Sequence, residues 1–325
     1  MKLIFNIFLL FSILFISGCS SKRLTIKSLH PSKIEGDKIH TIRVERFYRD
    51  DINQTVSVAN KIANKIIEHK KIFLLKENDF GTDAILSGEV LNSSLNTHVY
   101  YRSDVDYSRC SYYRYDDRTR TKQCIEYRTI LIPCEKREYN VTTSIKLIKP
   151  ITNALIFSKT YDKSSHENVC FDSPYPFSRS SNDKYRINSQ IADEIAQNIV
   201  DDISPHYVYY NVNIIEELDD KNKLYSKEDK KRFENIVDLI VNKNLDIAKT
   251  QLEAMDKQFD GKSFEVIYNL GLIFEATNNL EIANNLYNEA KTLTLDIKYL
   301  DLINYAITRT NINLEEKIKA KSQLP

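Results

Sequence analysis

Two segments of the chain carry apolar residues at helical spacing. In QTVSVANKIANKIIEHKK (54–71), the apolar residues Val58, Ile62 and Ile66 recur every fourth position, which is typical of an amphipathic helix. The segment INSQIADEIAQNIVDDIS (187–204) repeats this spacing. Each helix needs an apolar surface to cover its stripe, and a β-sheet is the usual surface of that kind.

Strand-like patterns surround these two helices. Segments rich in β-branched residues, or with alternating apolar positions, occur at 39–47, 72–75, 83–101, 140–148, 153–163 and 207–215. Lys149 and Pro150 begin a turn between two of them. We therefore predict an α+β fold in which a mixed β-sheet carries two helices on one face.

The N-terminus combines a short apolar run with a cysteine. Lys2 precedes a run that ends at Ile16, which is shorter than the about 20 residues of a membrane-spanning helix. The sequence ISGC (16–19) resembles the lipobox of bacterial lipoproteins. The resemblance implies that residues 1–18 are a signal peptide and that Cys19 becomes the acylated mature N-terminus. An ordinary signal peptide with a chance cysteine is the alternative.

The residues after the cysteine bear on where such a lipoprotein would lie. Ser20 follows it instead of Asp, which for a lipoprotein implies the outer membrane, on the periplasmic face. Two or three acyl chains, palmitate among them, would hold the protein firmly. Residues 19–38 are polar and contain Pro31 and Gly36, so they predict a flexible spacer. No later stretch is apolar enough to cross a membrane as a helix.

The first half of the chain resembles a known superfamily. A strand, a helix, FLLKEN and then GTDAILSGEVL resemble the α/β domain of the curli secretion channel and penicillin-binding-protein activator superfamily. The Gly-x-Asp-apolar-apolar-x-Gly stretch of that superfamily is matched at Gly81, Asp83, Ala84, Ile85 and Gly88, with one more residue before the last glycine than the pattern has. The resemblance implies an α/β lipoprotein domain, which we place at 39–216.

Two polar insertions, 100–140 and 163–186, depart from the superfamily pattern and hold four cysteines. The first contains Cys110, Cys124 and Cys134, and the second contains Cys170. In an oxidising compartment, four cysteines predict two disulfides, with three connectivities open. A metal site is the alternative, but no C-x-x-C occurs and His166 is the single histidine in either insertion, so we expect no metal.

The first insertion is dense in tyrosine and arginine. Tyr112, Tyr113, Arg114 and Tyr115 are consecutive. Tyrosine and arginine are enriched at interface hot spots because they combine a large contact area with a polar end. We predict that this insertion is a recognition surface and that these four residues are partner-binding candidates. A disulfide-pinned loop without a partner is the alternative.

The C-terminal third, 217–325, resembles tetratricopeptide (TPR) repeats. The residues at the motif's spacing are Leu270, Gly271, Phe274, Ala283, Tyr287 and Ala290. A weaker copy begins at Asn244, near the expected period of 34 residues before Asn279. Packing explains the motif, because Gly271 and Ala283 let two helices approach while aromatic side chains fill the groove beside them.

Several helix boundaries in this region are also predicted. Ser226 and Asp229 fit a capping box at the start of the first helix. Residues 297–308 and 313–322 are expected to form a third helix pair or a cap. The resemblance implies a TPR-like domain that binds envelope proteins, and a purely structural appendage is the alternative.

Composition and motifs point away from catalysis. The 46 Lys and Arg balance 45 Asp and Glu, so charge gives no argument for nucleic acid as a partner. No G-x-S-x-G, H-E-x-x-H or phosphate loop occurs, and we expect no enzyme, no cofactor and no small-molecule substrate.

The function expected from the sequence is that of an outer-membrane-anchored periplasmic lipoprotein. It would act as a protein-binding scaffold or as an accessory factor of an envelope machine for secretion, motility or cell-wall synthesis. An oligomeric secretion-channel-type component is one alternative, but it would need alternating apolar hairpins, which we do not find in the sequence. An outer-membrane assembly factor is the other alternative.

Overall fold

The computed structural model describes residues 21–171 except 35 and 37, and residues 181–325 except 221. Cys19 lies outside the described residues. The chain divides into two compact units. The α/β unit consists of Ser32–Ser204 with Leu324–Pro325, and the helical unit combines the segment that ends at Pro31 with Pro205–Gln323.

The elements are numbered in chain order. The strands are β1 (Arg23–His30), β2 (Thr41–Val44), β3 (Ile66–Ile67), β4 (Lys70–Lys71), β5 (Leu74–Leu75), β6 (Ala84–Asp116), β7 (Thr121–Ile148), β8 (Leu155–Cys170) and β9 (His206–Asn213). The helices are α1 (Gln54–Ala63), α2 (Ser181–Ile203), α3 (Lys227–Val241), α4 (Leu245–Gln258), α5 (Phe264–Ala276), α6 (Leu280–Thr292) and α7 (Ile297–Ser322).

The α/β unit is a five-stranded mixed sheet in the order β5-β2-β6-β7-β8, which confirms the predicted mixed α+β class. β2 runs parallel to β5 and β6, whereas β6, β7 and β8 are antiparallel. Of the predicted helical stripes, Val58 and Ile62 of α1 and Ile195 of α2 are fully buried, whereas Ile66 lies outside α1 and is exposed. On β7 the odd-numbered residues face these helices, since the Thr143 hydroxyl donates to Gln54 Oε1 of α1 at 3.2 Å.

The residues of the superfamily-like motif join β6 to β2. The Asp83 carboxylate accepts hydrogen bonds from the backbone N–H groups of His40 and Thr41, at 2.9 and 2.8 Å. Burial alone would raise the pKa of Asp83, but these backbone donors outweigh it and lower the pKa. At Gly88, a Cβ atom would lie 2.7 Å from the Phe47 ring, so only glycine fits there.

The helix predicted over 54–71 ends earlier than its apolar pattern suggests. α1 stops at Ala63, and Ile66 and Ile67 form β3. Glu68 and His69, both with positive φ, make the turn into β4. The apolar residues keep their spacing of four into a small hairpin. The predicted helix was therefore too long, because apolar spacing alone does not show where the backbone reverses.

The predicted flexible spacer is wrong at residues 23–30. Residues 23–30 form β1, which pairs antiparallel with β9 from Arg23↔Asn213 to His30↔His206. Leu24, Ile26 and Leu29 of β1 are buried. β9, expected as the last strand of an α/β domain over 39–216, therefore belongs with the helices and not with the five-stranded sheet.

The helical unit packs α3–α7 and the β1–β9 pair around two apolar clusters. Its first helix begins at the predicted capping box: the Ser226 hydroxyl accepts from the Asp229 N–H, and the Asp229 carboxylate accepts from the Ser226 N–H. The predicted pair at 297–308 and 313–322 is a single helix, α7, because no turn residue separates the two halves.

Candidate protein-binding surface

A two-stranded ribbon extends from the five-stranded sheet. The last pair between β7 and β8 is Cys134↔Cys170, and beyond it only β6 and β7 continue, paired as far as Asp116↔Thr121. We call residues 101–133 the arm. At about 3.3 Å per residue, residues 101–116 reach about 50 Å. The insertion predicted as a polar loop is thus a long β-hairpin.

One face of the arm is free of charge in the stretch next to the sheet. Directly opposite residues of an antiparallel pair share a face, and the pairs Tyr101↔Pro133, Ser103↔Leu131 and Val105↔Thr129 place only uncharged side chains on this face. The rings of Tyr107 and Tyr127 form a T-shaped contact with their centroids 5.1 Å apart and extend the face toward the tip. We call this surface the uncharged face.

The opposite face of the arm carries the charges. It presents Arg102, Asp104 and Asp106 from β6 and Arg128 from β7. Charges on every second residue hid the alternation at the sequence level, where Asp and Arg seemed to rule out an alternating hairpin. The structure shows the alternation only next to the sheet, where these four charges lie on one side. Near the tip, the pairs Arg114↔Gln123 and Tyr115↔Lys122 place charges on both sides.

The uncharged face is exposed to solvent. Tyr101 is 66%, Leu131 67% and Tyr107 74% accessible. In the body of the sheet the same face is covered, since Asn188 of α2 donates to the Ser93 hydroxyl at 3.1 Å. Between that stretch and the arm, the same face carries Arg137 and Glu135, opposite Thr97 and Val99, so the apolar side chains of the arm form a separate exposed patch. Exposed apolar patches mark interaction sites.

The four cysteines form the two predicted disulfides. Cys110–Cys124 joins β6 to β7 inside the arm, and Cys134–Cys170 joins β7 to β8 at its base. Of the three pairings that the sequence left open, the structure has one bridge within the first insertion and one between the two insertions. The first lies where β6 has extra residues relative to β7, between Asp106 and Tyr113, so it pins an irregular stretch of the ribbon.

The predicted partner-binding residues lie beyond this irregular stretch, near the tip. Tyr113, Arg114 and Tyr115 pair with Cys124, Gln123 and Lys122. The exposed fractions of Tyr112, Tyr113 and Tyr115 are 63%, 55% and 54%. The structure therefore separates this cluster from the uncharged face nearer the sheet, which sequence reasoning missed.

The residues assigned to the repeat motif pack between α5 and α6. Tyr287, Ala283 and Ala290 are fully buried, Leu270 nearly so, and Phe274 is partly buried against both clusters. A Cβ atom at Gly271 would lie 2.9 Å from the Tyr287 ring. The predicted close approach at Gly271 is thus present in the structure.

An ion pair that the sequence gave no sign of lies beside this helix pair. Arg309 of α7 donates through Nε and Nη2 to the two carboxylate oxygens of Glu275, both at 2.7 Å. The hydroxyls of Tyr287 and Tyr210 donate to the same carboxylate at 2.7 and 3.0 Å. Burial alone would lower the pKa of Arg309, but Glu275 outweighs it and raises that pKa.

One face of α5 is occupied by the chain itself. Asn269 accepts from the Ile215 N–H at 3.1 Å and donates to the Ile215 carbonyl at 2.8 Å, and the Tyr268 hydroxyl donates to the Asn213 carbonyl. The segment that follows β9 thus lies on the helices as an extended peptide would. This side of the helical unit is filled, whereas the uncharged face of the arm is open.

Other chemistry is sparse in the described part of the chain. Those residues contain no group of three or more His, Cys, Asp or Glu placed to hold a metal ion. No helix among them is long and apolar enough to cross a membrane.

Comparisons with known proteins give distant matches only. No protein-family model matches the sequence, and no curated protein matches it significantly. A neuraminyllactose-binding hemagglutinin homolog from Helicobacter pylori is 8% identical, covers 64% of this chain and 94% of its own, and has a TM-score of 0.29. Lipoprotein GNA1162 from Neisseria meningitidis is 12% identical, covers 49% and 99%, and has a TM-score of 0.19. At these TM-scores, neither similarity carries an argument.

Proposed function

We propose that this chain is a non-enzymatic lipoprotein of the outer membrane, facing the periplasm, that binds another envelope protein through its arm. It would serve as a scaffold or accessory factor of an envelope machine for secretion, motility or cell-wall synthesis. The observation that carries the proposal is the exposed uncharged face of the arm, from Tyr101 to Tyr107 and from Tyr127 to Pro133. An isolated two-stranded ribbon is at best marginally stable, and covering one face would stabilise it.

Two features support the envelope and the lipid anchor. The disulfides fit an oxidising compartment. β1 begins at Arg23, four residues after Cys19, so an extended connection spans about 14 Å at most. Acylation of Cys19 would hold the helical unit directly at the membrane surface, without the long spacer that the sequence suggested.

The helical unit has a supporting role in this proposal. A TPR-like character is favoured by the close contact of Gly271 with Tyr287 and by the burial of Ala283. Residues 213–215 already occupy one face of α5, which favours the arm over that face as the partner site. Membership of the curli channel and activator superfamily, and binding of envelope proteins through the outer helix faces, stay predictions.

The test is crosslinking in intact cells from a photoreactive residue at position 107. In the shortened variant, Asn-Gly replaces residues 101–133. It joins Tyr100 to Cys134, a directly opposed pair, and leaves the Cys134–Cys170 disulfide in place. We expect a defined protein partner in the wild type. The shortened variant, with the photoreactive residue moved to position 98, should not crosslink this partner.

Matched triple variants separate the two faces of the arm. Tyr101→Ser, Val105→Ser and Leu131→Ser change the uncharged face, whereas Arg102→Ser, Asp104→Ser and Arg128→Ser change the charged one. The proposal expects loss of the partner, by about tenfold or more, in the first triple only. A partner that survives arm shortening would assign recognition to the rest of the chain and contradict the proposal.

The lipid anchor is tested separately. Replacement Cys19→Ser should move the protein from the membrane fraction to the periplasmic fraction and abolish labelling with palmitate. Labelling that persists without Cys19 would contradict the anchor while leaving the arm proposal standing.

A second candidate is an oligomeric channel-type component. The alternating hairpin with one uncharged face, which we did not find in the sequence, favours it. This candidate expects ring-shaped particles of many copies in detergent extracts. The scaffold expects none.

A further inference from the structure

The direction of the backbone groups along β6 can be read from its bonds in the body of the sheet. On the edge away from β7, Val90 donates its N–H to the Tyr48 carbonyl at 2.9 Å, and the Gly88 carbonyl accepts from the Tyr48 N–H. Even-numbered residues of β6 therefore turn their N–H and C=O groups away from β7 up to Val90. In this stretch the chain itself covers the outer edge.

A bulge at Leu91 reverses this direction. Val90 pairs with Thr143 and Asn92 pairs with Thr142, so one residue is extra on β6, and the pairing then continues unbroken to Asp106↔Arg128. Beyond the bulge the residues that face outward are therefore Ser93, Leu95, Thr97, Val99, Tyr101, Ser103 and Val105. The Val105 N–H confirms this direction, because it turns back to the Asp104 carboxylate at 2.8 Å.

These seven residues make an open edge without the usual protection. All seven side chains are uncharged, none is proline, and no other described strand pairs with β6 beyond the bulge. Exposed edge strands are normally protected by lysine, proline, bulges or short length, and a long unprotected edge is a template for another strand.

We propose that this edge pairs antiparallel with the same edge of a second copy of the chain, about a two-fold axis at Val99. In that register all seven outward residues pair among themselves. Ser108 of one copy falls opposite Val90 of the other, where Tyr48 already pairs, so each arm turns aside from that point, which the bulges between Asp106 and Tyr113 allow. Arg102 then lies opposite Asn96 of the second copy, and Asp104 lies opposite Ser94, so no like charges meet. An isologous contact of this kind closes on itself as a dimer.

The proposed pairing would also stabilise the arm. Two ribbons side by side form a four-stranded sheet, and a sheet needs at least three strands to be stable by itself. The uncharged faces of both copies would lie on the same side and form one wider platform. The inference goes beyond the proposed function, since it depends on neither the lipid anchor nor the identity of a partner.

The test measures the mass of the full chain by sedimentation, in detergent if it fractionates with membranes and in buffer if it does not. Thr97→Pro removes an N–H that β7 does not use. The matched control is Thr129→Pro, on the other free edge of the arm. The Pro133 carbonyl accepts from the Phe171 N–H, so odd-numbered residues of β7 turn their backbone groups away from β6, and Thr129 is one of them. We expect a dimer for the wild type and Thr129→Pro, and a monomer for Thr97→Pro.

A second pair of variants leaves the backbone unchanged. Val99→Lys would place two lysines opposite each other at the axis, and Val99→Thr is its neutral control. We expect the dimer to weaken about tenfold or more with lysine and by less than about threefold with threonine. A photoreactive residue at 99 should also crosslink two copies in intact cells.

Four results would overturn the inference. These are a wild-type monomer without self-crosslinks, a dimer that persists with Thr97→Pro and Val99→Lys, equal loss with both proline variants, and a ladder of higher masses. None of them bears on capture of a partner at position 107, so failure here is distinct from failure of the proposed function.

Discussion

The helical unit buries tyrosines in its core, whereas the arm exposes tyrosines to solvent. Tyr268 and Tyr287 are fully buried, and their hydroxyls donate to Asn213 and Glu275. In the arm, Tyr101 and Tyr107 lie on an exposed face. In one region the hydroxyl satisfies a buried acceptor, whereas in the other the ring offers contact area to a partner. Tyrosine density alone therefore does not indicate recognition, and what surrounds each ring decides its role.

The largest effect on stability should come from removing the cation beside Glu275, the carboxylate that accepts the Tyr287 hydrogen bond. Arg309→Met leaves the Glu275 carboxylate buried without its cation, and the free energy of unfolding of the helical unit should fall by about 3–5 kcal/mol. Circular dichroism at 222 nm during denaturation measures this. The double variant Glu275→Leu with Arg309→Met should lose less than Arg309→Met alone. A single variant within about 1 kcal/mol of wild type would show that the pair is not a major support.

A smaller effect should follow from Tyr287→Phe, which removes one donor to Glu275. We expect a loss of about 1–2 kcal/mol. Burial raises the pKa of Tyr287 well above its usual value. The unfolded chain therefore releases this proton first, near pH 10, so the stability is fully present below that pH and is lost as the pH rises toward the folded pKa.

The pH dependence sharpens this test. Between pH 9 and 11 the free energy of unfolding of the wild type should fall more steeply than that of Tyr287→Phe. Parallel slopes for the two proteins would contradict the assignment of a raised pKa to this hydroxyl.

Removal of the arm disulfide should act locally. Cys110→Ser with Cys124→Ser opens a loop closed over 14 residues, a constraint of about 3 kcal/mol on the unfolded arm. We expect several-fold faster proteolysis within the arm and little change in the unfolding of the two units. Cys134→Ser with Cys170→Ser is the control, and it should destabilise the base of the sheet as well. Equal protection of the arm with and without its disulfide would contradict the local role.

The smallest effect on stability should come from the exposed face. Tyr101→Ser and Leu131→Ser should each change the free energy of unfolding by less than about 0.5 kcal/mol, because these side chains are about two-thirds exposed. Crosslinking at position 107 should nevertheless change. A large loss of stability would show that the arm packs against something within its own chain.

Local patterns predicted the body of the α/β unit. The stripes at Val58 and Ile195 and the turn after Ile148 are signals within a few residues of each other. β1 was missed because its partner strand is far along the chain. Arg23 pairs with Asn213, and neither segment by itself indicates that it pairs with the other. Its short RLTIKSLH pattern also mixes charges among its apolar residues, which is typical of a linker.

Tyrosine and arginine content indicated 100–140 as a recognition surface, which stays a prediction, and the number of cysteines predicted the two disulfides. The hairpin form and its two faces were missed because they depend on the register between β6 and β7, which pairs residues as far apart in sequence as Tyr101 and Pro133. The Glu275–Arg309 pair depends on how α5 meets α7, which no spacing along the chain contains.

The pairing of β1 with β9 also sets an order of events in biogenesis. The first strand leaves the ribosome long before its partner, and Ser32–Ser204 is complete in sequence before β9 exists. The α/β unit can therefore mature while the helical unit still waits for its C-terminal helices. During that interval the apolar side chains of β1 have no partner strand to cover them, so this segment is open to a chaperone.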